Sequence, residues 1–77
     1  MVKLIQIEGS NEYEAAKYNQ WETMYVNPAH IVYVCPYEGV TKITLSTGFT
    51  LWCQQSCNEV YNKVRRRAPH EVKIVQR

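Results

Sequence analysis

Aspartate is absent from this chain, and all seven acidic side chains are glutamates. Enzyme sites need a nucleophile or an acid–base pair held against a cleft, and candidates for either are few. His30 and His70 are far apart in sequence, and neither stands in a Cys/His or Ser/His spacing that suggests an activated nucleophile. Three scattered glycines give no phosphate-cradling loop. No apolar run approaches the roughly 18 residues of a membrane span, and the opening Met1 to Glu8 turns polar too soon for a secretory signal. The expectation is a non-enzymatic, cytoplasmic chain without cofactor or membrane attachment.

Cysteine is scarce and odd in number. Cys35, Cys53 and Cys57 cannot all pair within one chain, and without an export signal reduced thiols are the default. Cys53 and Cys57, joined by Cys35 and either His30 or His70, would be the raw material of a zinc site. The second closely spaced pair of the familiar zinc knuckles is missing, so the reading is no metal and small buried thiols.

Seventy-seven residues have room for one core, which makes residues 1–77 a single small domain. Charge is unevenly spread along it. Residues 1–38 carry two basic against five acidic side chains, net −3, while residues 39–77 carry seven against two, net +5. Such polarity suits an acidic protein surface, a nucleic acid, or the acidic half of a second copy.

The clearest pattern runs from Ile31 to Cys53 and predicts two consecutive hairpins. Ile31 to Tyr37 is rich in β-branched and aromatic residues, Glu38-Gly39 supplies a two-residue turn, and Val40 to Leu45 alternates. Ser46-Thr47-Gly48 fits a three-residue turn with Gly48 left-handed. These turns set Val34 against Ile43, Val32 against Leu45, Leu45 against Phe49, and Ile43 against Leu51. Both registers select one core face, Val32, Val34, Ile43, Leu45, Phe49 and Leu51, because a one-residue slip would send either set to the wrong side. The other face carries Ile31, Tyr33, Cys35, Tyr37, Lys42, Thr44, Thr50 and Trp52. Pro36 has no amide donor, so the Ile31 strand ends, bulges or turns a free edge there.

A helix follows from Cys57 to Arg67. Ser56 and Glu59 have capping-box spacing, and Cys57, Val60, Tyr61, Val64 and Ala68 recur at three- and four-residue intervals. Arg65, Arg66 and Arg67 lie in its last turn, where cations suit the helix dipole, and Pro69 stops it. Val2 to Glu8 and Trp21 to Val26 read as strands, with a helical turn around Tyr13 to Tyr18 between them. Asn27-Pro28-Ala29 reads as a turn or a single 3₁₀ turn, and His70 to Val75 as a last strand or ordered tail. The predicted fold is α+β: a curved antiparallel sheet of four or five strands, open or closed into a half-open barrel, with the helix on the Val32, Ile43, Leu45 and Leu51 face.

The face bearing Tyr33, Tyr37 and Trp52 is too aromatic to be merely solvated. Two readings stand. Covered by the Val2 and Trp21 strands, these rings are a second core; exposed, they mark a binding surface, since Tyr, Trp and Arg are the enriched hot-spot types. The predicted site is therefore Tyr33, Tyr37, Trp52 and Lys42, with Arg65, Arg66 and Arg67 steering. A larger protein partner is expected, as for small phage- or plasmid-type modulators of a host machine such as RNA polymerase or a nuclease. The alternative is a small nucleic-acid-binding protein whose sheet aromatics stack bases. Self-association as a homodimer is a further option.

Val26-Asn27-Pro28-Ala29-His30-Ile31, then Thr41 to Leu45, Gly48, and the capped helix from Ser56 through Val60 to Val64 resemble the FlbD-like small proteins linked to flagellar and swarming motility. Those chains also open with a Lys- and Leu-containing strand like Val2 to Ile7. The polar stretch Gly9 to Gln20, the Trp52-Cys53 pair and the arginine-rich helix end depart from that pattern. The resemblance implies a small regulator with no catalytic residue.

Overall fold

Both turns at the centre of the chain form as their residues dictate. The structure, a computed structural model, describes residues 3–68 and 70–74. Strand β3 (Ile31–Tyr37) meets β4 (Val40–Leu45) across Glu38 and Gly39, whose φ angles of 44° and 85° make a two-residue turn with both central residues left-handed. Gly48, at φ 95°, closes the turn into β5 (Thr50–Cys53), where the Gly48 amide donates to Leu45 O at 3.0 Å and the Leu45 amide to Phe49 O at 2.9 Å.

Around this meander lie β1 (Ile5–Ser10), a short helix α1 (Tyr13–Lys17), β2 (Glu22–Val26), a 3₁₀ turn at Pro28–His30, helix α2 (Cys57–Arg65) and β6 (Lys73–Ile74). The sheet is six-stranded in the order β2-β1-β5-β4-β3-β6. It is mixed rather than purely antiparallel, because β6 adds to β3 in parallel, with Tyr33 facing Lys73 and Val34 facing Ile74. His70 anchors that return by donating from Nε2 to Ile31 O at 2.7 Å. Val2, Pro69 and Val75, three residues of the sequence reading, lie outside the described residues.

The core collects Ile5, Ile7, Val26, Ile31, Val34, Ile43, Leu51, Cys53, Val60, Val64 and Val72. Ser56 caps α2 by accepting from the Glu59 amide at 3.2 Å, and Val60 and Val64 face inward. The helix ends at Arg65 rather than Arg67, with Arg66 as its cap. The chain curves enough for α2 to touch both β1 and β3, which lie three places apart in the sheet.

Three members of the predicted core face are placed differently. Val34, Ile43 and Leu51 are buried, but Val32 is 37% exposed, and Ile31, expected on the aromatic face, is fully buried. A bulge is the cause: Ile31 pairs with Leu45 and Tyr33 with Thr44, leaving Val32 as an extra residue and shifting Ile31 to the core side. Leu45 is half-buried and packs against the core from its margin. Phe49, 72% exposed, has the right parity but sits at the hairpin tip, outside the core cluster. Pro36 pairs opposite Thr41 two positions beyond the last residue joined to β6, so its missing amide falls at an open edge.

The β1–β2 pair joins the rest of the sheet through a close approach of β1 to β5. β1 meets β5 at only Gly9↔Cys53 and Ser10↔Trp52, and a Cβ on Gly9 would stand 2.7 Å from Trp52 O. Only glycine lets these backbones come together.

Candidate functional site

Opposite the core, alternate residues of the central strands make one face. Cys35, Lys42, Trp52 and Ser10 form a row across β3, β4, β5 and β1, and Tyr33, Thr44 and Thr50 form the next. Tyr37 stands beside the first row at the β3–β4 turn. Among the described residues no N-terminal strand covers these rings, because β1 and β2 lie in the same sheet. Part of the cover comes instead from α1, which lays Tyr13 against Tyr37 at 5.3 Å and 90° and against Trp52 at 4.9 Å and 57°. Tyr37 and Trp52 meet at 5.3 Å and 57°, so three rings pack edge and tilt onto one another. Such pairs are each worth about 0.5–1.5 kcal/mol beyond area burial.

Lys42 stands over this cluster, its Nζ 5.8 Å from the Tyr37 centroid and 5.9 Å from that of Trp52. Glu38 completes it by accepting from the Tyr13 hydroxyl at 2.5 Å across 25 residues of sequence. Glu38 does so from a left-handed backbone that costs a non-glycine residue about 1–2 kcal/mol. The result is a ring platform with one cation and one anion at its margin. Tyr37 remains 42% exposed.

Helix α1 needs this cluster as much as it completes it. Five residues with no side-chain cap at Glu12 do not hold a helix in water. Tyr13 and buried Ala16, three residues apart, fasten it to the sheet. The sequence reading left Tyr13 out of the site, and that spacing in an otherwise polar stretch is the one signal that could have found it. Glu38 gave no such signal beyond its turn.

The Glu38 carboxylate pushes the Tyr13 hydroxyl up to about 12, chiefly because the hydrogen bond to Glu38 favours the protonated phenol, with some loss of hydration and a repelling negative charge adding to it. A raised folded-state value means that this bond contributes fully below the ordinary tyrosine value of 10.0 and is lost as pH rises through about 12. Tyrosinate absorbance at alkaline pH should therefore show one late-titrating tyrosine that disappears in Tyr13→Phe and moves back toward 10 in Glu38→Gln. An unmoved titration in Glu38→Gln would remove the contact from the account.

The remaining predicted site residues are placed elsewhere. Tyr33 shares the face but makes no ring contact with the cluster among the described residues; its neighbour across the parallel pair is Lys73. Arg65, Arg66 and Arg67 are exposed at the end of α2, which packs on the core side of the sheet, so they do not join the rings. Lys63, nearby, donates to Gln6 O at 3.1 Å.

Cys53 is buried, and loss of hydration pushes its thiol up to about 11, partly offset by a hydrogen bond from the Gln55 backbone. It stays protonated and unreactive at neutral pH. Cys57 lines an open groove of about 520 Å³ beside the start of α2, where Thr41 Oγ1 donates to Gln55 O at 2.6 Å. Among the described residues no group of three or more His, Cys, Asp or Glu is placed to hold a metal ion, and no helix is long and apolar enough to cross a membrane.

No family model, curated protein or solved structure matches this chain.

Proposed function

We propose that this protein is a small non-enzymatic binding module that attaches to a larger protein through the Tyr37, Trp52 and Lys42 face of its sheet. The supporting observation is the three-ring cluster itself: Tyr37 and Trp52 fixed on strands, Tyr13 laid against them from α1, Lys42 and Glu38 at the margin, and Tyr37 still open to solvent. Aromatic side chains fixed before binding supply large contact area with little further entropy loss. Tyr33, one row away, and Tyr13 extend the same surface. A regulator of FlbD-like type and a modulator of a host machine such as RNA polymerase or a nuclease are both members of this class.

The nucleic-acid reading fits the geometry less well. Rings inclined at 57° and 90° to one another leave no stack of parallel faces for successive bases. The arginines that would neutralise phosphate are on the other side of the sheet.

A photo-reactive residue in place of Tyr37 tests the proposal. Illumination in nuclease-treated lysate of the source cell should join the chain to one protein species, and the same residue in place of Arg66 should not. Crosslinks formed only from Arg66, or only to nucleic acid in untreated lysate, would reverse the reading.

A further inference from the structure

We infer that a second copy of this chain pairs with it along the free edge of β2, making one continuous sheet across two protomers. Strand β2 ends the sheet and pairs only with β1 among the described residues, in an unbroken register from Ile5↔Val26 to Gly9↔Glu22. Every second residue of such a strand turns its N–H and C=O outward, an open template for another strand. The usual guards are missing: β2 contains no proline, lysine or bulge, and its one charged residue is Glu22 at the end. The opposite edge is guarded, by Pro36 in β3 and by the short β6 with Lys73.

The sequence of β2 is matched to its own copy. A two-fold axis through Met24, perpendicular to the sheet, keeps both faces continuous and pairs all five residues of Glu22–Val26. Glu22 then lies opposite Val26 of the copy, so the strand's only charge never meets itself. Tyr25, 64% exposed, lies opposite the small Thr23, and Met24 meets Met24. Shifting the axis to Thr23 or Tyr25 leaves residues unpaired. The Met24 arrangement sets the two ring faces on one side of the joined sheet.

Sedimentation over a concentration series up to about 1 mM should show the 9.1 kDa chain moving toward twice that mass. Two double variants locate the seam, and because Thr23 and Tyr25 are exposed both should keep the fold, which far-UV circular dichroism checks. T23K/Y25K sets lysine against lysine twice and should stay monomeric. T23K/Y25E sets lysine against glutamate twice and should associate at least about tenfold more tightly than the first, with the gap closing in high salt. Amide exchange in β2 of the unaltered chain should slow as concentration rises. A monomer at every concentration, equal association by the two variants, or concentration-independent exchange in β2 overturns the inference.

Discussion

Ile43→Ala should destabilise the protein by about 2–5 kcal/mol, whereas Val32→Ala should change its stability by less than about 0.5 kcal/mol. Both residues are β-branched, both belong to the first hairpin, and alternation alone gives them the same face. Ile43 is fully buried between Val34 on β3 and Leu51 on β5, so truncation loses its transfer free energy and leaves a cavity in a small core. Val32 is the extra residue of the bulge, and 37% of it is in water already. Each kcal/mol moves the melting temperature of so small a domain by about 4–8 °C, so Ile43→Ala brings it close to unfolding at room temperature while Val32→Ala melts with the parent. Urea or thermal unfolding followed by circular dichroism measures both. Similar losses from the two variants would mean that Val32 lies in the core and the bulge is misplaced.

The same pair marks where local reasoning about this chain stops. Glu38-Gly39 and Ser46-Thr47-Gly48 were legible because a left-handed glycine is encoded in the residues themselves, and with the turns fixed the pairings Val34↔Ile43 and Ile43↔Leu51 follow by counting. The bulge was not legible: Ile31 and Val32 are interchangeable by propensity, and only the need to meet Leu45 decides which turns inward. Parity also says which way Phe49 points without saying whether anything covers it. The two-residue β6 is too short to carry a period. In the candidate site, Tyr37, Lys42 and Trp52 came together as their strand positions required, and the arginines fell at the remote helix end. Tyr13 and Glu38 were invisible as a pair because their contact spans 25 residues, and tertiary structure alone brings α1 onto the turn.

Once the crosslinked partner is in hand, Trp52→Ala should weaken its binding by about 2 kcal/mol or more, roughly 30-fold, at low and high salt alike. Trp52 touches both Tyr13 and Tyr37 and lies under Lys42, so its removal takes away contact area and also loosens the cluster that presents the rest. Tyr13→Ala separates those effects: it releases α1 but leaves Trp52 and Tyr37 in place on the strands, and should cost less than Trp52→Ala. Replacing Arg65, Arg66 and Arg67 together by glutamine should act differently. Exposed on the far side of the sheet, these side chains contribute long-range attraction, so their loss should slow association and flatten its salt dependence while leaving dissociation nearly unchanged. For a nucleic-acid ligand the order reverses, because phosphate contacts supply most of the affinity and their number sets the salt slope. Surface plasmon resonance at two ionic strengths, on variants whose circular dichroism matches the parent, reads all three effects. Near-total loss of binding in the arginine variant beside full binding by Trp52→Ala would transfer the site from the ring face to the end of α2 and the ligand from protein to nucleic acid.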